Sequence, residues 1–303
     1  MLYFPTPYPD ELLGSLLIRA CHHLGLSPAA LVRLIADGAG DLFFLVPSFL
    51  ETISRLTRMS AWQLLLKHTV FPYAAIGLTS QRRAILARDL LSASARGSSV
   101  RLRASFSLRA TLGFHIEALS CRRYCEQCCH EDRTRFGESY WHTQHALPGV
   151  FVCPQHGKIL HLSSIAALPR LSTSNAKLPQ EVTGQPCNWG LDEKRLQCIG
   201  RAALHAMTLP ENTWDTVNAE YFACASTIVA SREQSRWRVD PMVVDFGRFY
   251  GPTFLEKIGL GLASMDRDAW PAKLLHGAHP RLLLQLRHIL LQLFLKSAWK
   301  PTT

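Results

Sequence analysis

The sequence contains no hydrophobic run long enough to cross a membrane. Its most apolar window, "LLLQLRHILLQLFL" at residues 282–295, is shorter than the roughly 20 residues that a spanning helix needs, and it includes Arg287 and His288. The chain begins "MLYFPTPYPDELL", with three prolines and two acids where an export signal needs a basic segment and an apolar run. We therefore predict a cytoplasmic protein without a membrane segment.

Common catalytic motifs are also missing. The sequence has no phosphate-binding G-x-x-x-x-G-K loop, no G-x-S-x-G elbow and no obvious pair of carboxylates in an apolar setting. Internal repeats of fixed period and low-complexity tracts are absent as well. These absences favour a binding protein over an enzyme.

Lysine is absent from residues 81–135, which hold eleven arginines against five acids, a net charge of +6 within a chain of net charge +10. Such a block attracts a polyanion, and arginine suits bidentate phosphate contacts. The alternative is a charged surface that only keeps the protein in solution. We predict nucleic-acid contacts from seven residues of this block: Arg82, Arg83, Arg101, Arg103, Arg109, Arg122 and Arg123.

The first hundred residues have helical patterning. Asp10 can cap a first helix that Gly25 ends, and Pro28 begins a second, so the pair resembles a helix-turn-helix. The second helix offers few polar side chains for reading bases, which favours a structural or protein-contacting role. Capping boxes at 48–51 and 60–63 predict two more helices, and another is predicted over about 80–95, with Arg82, Arg83 and Arg88 outside its apolar stripe.

Composition changes between residues 163 and 189, where Ser, Thr, Pro and Gly accumulate as in a loop or linker. Helical patterns return after it, including 194–207, 216–234, 251–259 and 279–297. A chain of 303 residues with 48% hydrophobic content can form more than one buried core. We expect a mainly α fold with a helical domain at 1–115, a small cysteine-rich subdomain at 116–165, and a linker and helical domain at 166–303.

Nine cysteines in a chain without an export signal favour metal binding or burial over disulfides. Cys125 and Cys128 form a C-x-x-C, and Cys153 and His156 form a C-x-x-H after twenty-four intervening residues. Two such knuckles supply the four ligands of a tetrahedral zinc ion. The residues between them have the turn signals of a small β-hairpin. Cys121, Cys129 or His130 could instead replace Cys128 as a ligand in a shifted register, and this alternative stays open.

A catalytic zinc is the rival interpretation, because "HIE" at 115–117 and "CEQC" at 125–128 echo the motif of nucleobase deaminases. Only seven residues separate Glu117 from Cys125, Tyr124 stands where that motif has proline, and Cys153 and His156 would be unused. Four protein ligands also leave no position for an activated water. We predict a structural zinc.

Several segments resemble the TniQ/TnsD family, whose members select target sites for bacterial transposons. They are "YFPTPYPDELLGSLLIRA", "LLLKHTVFPYAA", "YCEQCCHEDRTRFGESYWHTQHALPGVFVCPQHGKIL", "FGRFYGPTFLEKIGL" and "HPRLLLQLRHILLQLFL". The resemblance implies a non-enzymatic adaptor at the bacterial nucleoid that binds target double-stranded DNA and recruits an AAA+ ATPase, with zinc on Cys125, Cys128, Cys153 and His156. It leaves self-association open.

The resemblance also implies where the partner binds. The N-terminal part looks like the region that engages the ATPase, and Tyr3, Phe4 and Tyr8 would be rigid aromatic anchors. Longer TnsD-like members continue into further DNA-reading domains, and RNA-guided relatives add a second cysteine cluster, for which only Cys187 and Cys198 are available here. Both direct reading of an attachment site and targeting by a CRISPR effector with guide RNA therefore stay open.

Overall fold

The structure is a computed structural model that describes residues 3–35, 41–45, 49–76, 78–91, 120–167, 169–209, 241–266, 268–275 and 285–297. It is mainly helical, with one small antiparallel sheet, which confirms the predicted fold class. Among the described residues, no helix has the length and apolarity needed to cross a bilayer.

The described residues of the N-terminal part include α1 Leu13–Leu24, α2 Pro28–Ile35, α3 Leu50–Thr57, α4 Ala61–Lys67, α5 Phe71–Ile76 and α6 Ser80–Leu91. Gly25 ends α1 in a left-handed conformation, and Ser60 with Gln63 forms the predicted capping box of α4. The predicted cap at Asp10 is wrong, because α1 begins after Leu12, and Leu12 is the N-cap residue and makes no side-chain cap hydrogen bond. Ser48, the other predicted cap, lies outside the described residues.

The middle of the chain contains β1 Cys121–Tyr124, α7 Glu126–Phe136, α8 Thr143–Ala146, β2 His161–Ala166, a 3-10 turn at Pro179–Glu181 and β3 Gly184–Pro186. The strands form an antiparallel sheet in the order β1-β2-β3. The position predicted for the hairpin, between the two knuckles, is wrong, because α7 and α8 occupy that segment and the antiparallel strands β1 and β2 lie on either side of it. The loop predicted over 163–189 is also partly wrong, since β2 extends into it and β3 lies within it.

The described residues of the C-terminal part include α9 Glu193–Thr208, α10 Pro241–Tyr250, α11 Pro252–Lys257, α12 Trp270–Leu275 and α13 Gln285–Ser297. Three of the predicted helices, at 194–207, 251–259 and 279–297, cover most or all of α9, α11 and α13, respectively. The predicted helix at 216–234 lies outside the described residues, as does the beginning of the one at 279–297. Asp192 caps α9 by accepting a hydrogen bond from the Arg195 amide.

One hydrophobic core joins these three parts of the chain. The Leu12 amide donates to the Trp141 carbonyl at 2.8 Å, and the Tyr73 hydroxyl donates to the Pro148 carbonyl at 2.9 Å. Gly149 has a φ of +97°, and a side chain there would press on Leu286 of α13. The region that contains the two knuckles therefore packs against both the N-terminal and the C-terminal helices. The domain boundaries 1–115, 116–165 and 166–303 stay predictions.

Candidate metal centre

Cys125, Cys128, Cys153 and His156 converge on one point. Their four potential ligand atoms all lie within 4.8 Å of one another, and the three cysteines are buried. The Cys128 and Cys153 sulfurs are 3.6 Å apart, and His156 Nδ1 lies 3.3–3.5 Å from each of the three sulfurs. This Cys3His cluster could bind a metal ion.

The first knuckle is formed where β1 passes into α7. Cys125 is the N-cap residue of α7, and Cys128 lies in its first turn, so the three-residue spacing brings both side chains to the beginning of the helix. The positive end of the helix dipole is located there and favours thiolates over thiols. The helix therefore holds two ligands and supports the charge that metal binding requires.

The second knuckle is a tight turn closed by a β-bridge between Val152 and Ile159. The Cys153 amide donates to the Lys158 carbonyl at 2.7 Å, and the Gly157 amide donates to the Cys153 carbonyl at 2.9 Å. Gly157 has a φ of 65°, a left-handed conformation that a side chain would strain. The turn therefore brings Cys153 and His156 to the same point.

The spacing of the ligand atoms fits zinc. A tetrahedral ion with Zn–S bonds of about 2.3 Å and a Zn–N bond of about 2.0–2.1 Å separates two sulfurs by about 3.8 Å and a sulfur and a nitrogen by about 3.5 Å. The observed separations of 3.6 Å and 3.3–3.5 Å are close to these values. Three thiols and an imidazole are also the donor set of structural zinc sites.

The charges of the bare cluster point the same way. Hydrogen bonds from Cys128 and Cys153 lower the pKa of the Cys125 thiol, while the nearness of Cys125 raises the pKa of Cys128. One thiolate therefore opposes the ionisation of the next thiol, as expected for like charges in close contact. A divalent cation removes this conflict because it stabilises all the thiolates together.

The alternative ligands lie away from this point. Cys129 is buried beside Ser139, and burial raises the pKa of its thiol to about 12. Cys121 is at the beginning of β1 and half-buried, and His130 is exposed on α7. Among the described residues, the group within metal-binding distance is Cys125, Cys128, Cys153 and His156.

Glu131 supports the histidine of the cluster, and its role has no signature in the sequence. His156 Nε2 lies 2.9 Å from Glu131 Oε1, and the Gln155 side chain donates to Glu131 Oε2 at 2.9 Å. A carboxylate that accepts from Nε2–H leaves Nδ1 unprotonated and directed at the three sulfurs. Glu131 thus fixes both the tautomer and the orientation of His156.

We expect Glu131→Gln to weaken zinc binding by about tenfold, because the amide preserves the size of the side chain but not the charge that makes the imidazole a better ligand. Competition against a coloured zinc chelator measures the change. Glu126→Gln on the same helix is the matched control, because Glu126 is 72% exposed and its partner is His161. Equal zinc affinity in the two variants would contradict this role for Glu131.

A buried ionic network lies beside the cluster. The Arg19 side chain, only 2% exposed, contacts Glu11 Oε2 and Glu138 Oε1, each at 2.7 Å, and stacks 3.5 Å above the ring of Tyr8. His23 contacts Glu138 at 2.9 Å. No spacing rule indicates this network, because Glu138 lies more than a hundred residues from Arg19 along the chain.

His142 forms a second link between the N-terminal segment and α7. Its ring nitrogens lie 3.3 Å from Asp10 and 3.0 Å from Asp132. Burial lowers the pKa of His142, but hydrogen bonds to the two carboxylates outweigh burial and raise the pKa to about 9. His142 is therefore protonated at neutral pH, and its positive charge forms ion pairs with both Asp10 and Asp132.

The seven predicted nucleic-acid contacts have different positions. Arg82 is exposed on α6, whereas Arg83 is buried. Arg122 and Arg123 are also buried, and they donate to the carbonyls of Asn175, His145 and Leu147. Burial removes Arg83, Arg122 and Arg123 from any open phosphate-binding face. Arg101, Arg103 and Arg109 lie outside the described residues.

The three predicted partner anchors also differ in exposure. Tyr3 is 58% exposed and its hydroxyl lies 3.0 Å from His23 Nδ1. Phe4 belongs to the hydrophobic core. Tyr8 is half-buried and stacks on Phe136, with ring centroids 4.2 Å apart. Phe4 and Tyr8 therefore hold the N-terminal segment on the fold, and Tyr3 alone of the three presents most of its side chain to solvent.

Comparison with known proteins supports the resemblance. The profile of the TniQ family matches residues 2–160, which include the whole Cys3His cluster. The chain is 30% identical over 166 residues to the transposon Tn7 transposition protein TnsD of Escherichia coli. That alignment covers 53% of this chain and 31% of TnsD, so the chain spans less than a third of that relative.

Proposed function

We propose that this chain, which belongs to the TniQ family, is a non-enzymatic adaptor that binds target DNA and recruits an AAA+ ATPase. The family and the similarity to TnsD support a role in selecting target sites for transposition. The observation that carries the proposal is the match over residues 2–160, since it covers both the N-terminal helices and the metal centre. A protein with this function works at the nucleoid.

The metal centre supports the adaptor over a hydrolase or deaminase. We infer that its ion is one structural zinc, because four side chains converge on it and a fourfold protein coordination leaves no open position for a reactive water. Glu117, the general base in the enzymatic alternative, lies outside the described residues. The adaptor predicts no turnover, whereas the enzyme predicts an activity that Glu117→Gln abolishes while zinc content is kept.

The proposed DNA contacts begin on α6. Arg82 is exposed, and Arg88 on the same helix is 72% exposed. Together with Arg101, Arg103 and Arg109 they retain much of the positive charge of the 81–135 block. Charges of this kind bind the DNA backbone without regard to sequence, and base contacts or a guide RNA would then define the site.

The proposed ATPase contacts are at the beginning of the chain and on α2. The exposed side chains of α2 include Arg33 and Leu34, the latter 48% exposed, a set poorly suited to reading base edges. Tyr3 adds an exposed aromatic side chain near α1. Aromatic and apolar side chains commonly dominate the energetics of protein interfaces.

We expect two variants to separate the two activities. Changing Arg82, Arg101, Arg103 and Arg109 to alanine should reduce the slope of log affinity for duplex DNA against log salt by about 0.9 for each phosphate that the protein no longer neutralises. Tyr3→Ala should weaken co-purification with the AAA+ ATPase of the same transposon. Each variant should leave the other activity unchanged, as measured by fluorescence anisotropy for DNA and by affinity capture for the ATPase.

Arg248→Ala is the control for the DNA arm, because Arg248 is 79% exposed on α10, far along the chain from the 81–135 block. A parental salt slope in the four-arginine variant would rule out the assignment of these residues. Full ATPase recruitment with Tyr3→Ala would rule out that anchor. RNA sequencing of the captured complex distinguishes RNA-guided targeting from direct reading of an attachment site.

A further inference from the structure

The central strand of the sheet, β2, has an open edge near its C-terminal end. β3 pairs with β2 through His161, Leu162 and Ser163, so β2 extends past the end of β3 by residues 164–166. The chain that leads into β3 does not continue this ladder, because it comes from the 3-10 turn at Pro179–Glu181. No strand of the described chain therefore covers this edge of β2 at residues 164–166.

The backbone of Ala166 points towards the open edge. Ala166 pairs with Cys121 of β1, and the next amide, that of Ala167, donates to the Ser120 carbonyl at 2.7 Å. In an antiparallel ladder, a residue beside such a bond directs its own N–H and C=O away from the paired strand. Neither of these two groups of Ala166 has a hydrogen-bond partner among the described residues, so both are available to another strand.

A cleft of about 420 Å³ lies beside this edge. Its lining includes residues 164–166 of β2 and residues 181–183, which lead into β3, so the cleft opens where the two strands separate. Ile165 and Val182 are half-buried and give it two apolar side chains. The volume falls in the range of about 300–1,000 Å³ that is usual for ligand pockets, which suits a short piece of extended chain rather than a folded domain.

The cleft also presents one positive charge. Lys177 lines it and is exposed, and no carboxylate of the described residues forms an ion pair with Lys177. Glu181 lines the same cleft, but its Oε2 accepts the Leu178 amide at 2.6 Å and lies 3.8 Å from His22 Nδ1. An unpaired ammonium group beside an open sheet edge favours an extended segment that carries an acidic side chain.

We propose that this cleft binds an extended acidic segment of a partner protein, which pairs with β2 beyond the end of β3. The backbone of the segment hydrogen-bonds to the N–H and C=O of Ala166, and its acidic side chain pairs with Lys177. In binding of this type, backbone hydrogen bonds provide affinity and side-chain contacts provide specificity. The residues proposed to contact DNA and the ATPase do not line the cleft, so this surface is additional to them.

Selection from a phage-displayed library of random peptides against the whole protein tests the proposal. The selected peptides should combine residues favoured in strands with Asp or Glu, and fluorescence anisotropy measures their affinity. Ala166→Pro removes the N–H donor from an open edge, where proline is tolerated, and should weaken binding about tenfold. Lys177→Glu should also weaken binding about tenfold. Lys194→Glu is the matched control, because Lys194 is exposed on α9 and does not line the cleft.

Amide hydrogen exchange tests the same site without a variant. In the free protein the Ala166 amide should exchange faster than the Ala167 amide, which is bonded to Ser120. A selected peptide at ten times its dissociation constant should slow exchange at Ala166 about tenfold. Failure to select any peptide, parental affinity in both cleft variants, or an unchanged Ala166 exchange rate would each overturn the proposal. DNA binding and ATPase recruitment do not enter these readouts, so the result is independent of the proposed adaptor function.

Discussion

Replacing Cys153 with serine is expected to abolish tight zinc binding and to unfold the region from about residue 121 to 162. A structural zinc site of this kind contributes about 10 kcal/mol or more to the folding of its subdomain, which is comparable to the whole stability of a typical domain. Val150, Phe151 and Val152 directly before Cys153 belong to the hydrophobic core, so their displacement would expose core surface as well. We therefore expect a larger loss of stability here than from substitution of any surface residue.

The damage should also spread beyond the metal centre. The Trp141 carbonyl accepts the Leu12 amide at the beginning of α1, and the Pro148 carbonyl accepts the Tyr73 hydroxyl of α5. Unfolding of the cysteine-rich region would remove both acceptors from the N-terminal helices. We therefore expect the parent to unfold in one cooperative thermal transition. Cys153→Ser should lower the midpoint of that transition rather than remove one of two separate transitions.

Elemental analysis and a thermal melt measure the two effects. Cys129→Ser is the matched control, since Cys129 is buried next to Cys128 on α7 but lies outside the cluster. It should retain one zinc per chain, and its stability should fall only by the amount typical of a buried substitution. Full zinc content with a parental melting curve in Cys153→Ser would refute the site. Loss of zinc in Cys129→Ser would instead favour the shifted register.

The metal centre could be predicted from the sequence because its geometry is largely local. Each knuckle places two ligands within four consecutive residues, and a helix beginning or a tight turn brings such neighbours together whatever the rest of the fold does. Only the meeting of the two knuckles depends on distant parts of the chain. The helical structure of the N-terminal part was predictable for a similar reason, since caps such as Ser60 with Gln63 act over one turn.

The orientation of the arginines could not be predicted, because exposure depends on what packs against an element. On α6, Arg83 was expected outside the apolar stripe, yet Arg83 is buried and Ile85 is 42% exposed. On β1, Arg122 and Arg123 are both buried because α8, Phe44 and the loop at Asn175 cover the strand. Net charge in a segment therefore overstated the number of residues available to nucleic acid.

The ionic network around Arg19 is the other feature that only the fold provides. Arg19 is on α1, Glu11 precedes α1, and Glu138 follows α7, so the network ties the N-terminal segment to the cysteine-rich region. Burial lowers the pKa of Arg19, but Glu11 and Glu138 outweigh it and raise that pKa. Deleting residues 1–9 would also remove the core residue Phe4 and the Tyr8 ring under Arg19, so Tyr3→Ala is the cleaner probe of the partner surface.

We expect Arg19→Met to lower the free energy of unfolding by about 3–5 kcal/mol, because it removes the counter-charge and a hydrogen-bond donor of buried Glu11 and leaves Glu138 with His23 as its charged partner. Methionine retains most of the apolar stem, so the loss reports the charge more than the packing. Chemical denaturation measures it, and Arg248→Met, at an exposed site whose partner Asp245 is itself 48% exposed, should change stability by less than about 0.5 kcal/mol. A loss below about 1 kcal/mol in Arg19→Met would show that the network contributes little.

The pH dependence of this loss identifies its cause. Burial raises the pKa of the Glu11 carboxyl to about 7 even though Arg19 opposes the shift, so removing Arg19 should raise it further. A carboxyl with a raised pKa in the folded state destabilises that state as pH rises, and protonation at lower pH relieves the penalty. The deficit of Arg19→Met relative to the parent should therefore be largest above neutral pH and should narrow as pH falls towards about 7, below which Glu11 is protonated in both folded proteins. The double variant with Glu11→Gln should recover part of the deficit above neutral pH, since it removes the uncompensated charge. A deficit that is the same at every pH, with no recovery in the double variant, would assign the loss to packing around Tyr8 instead.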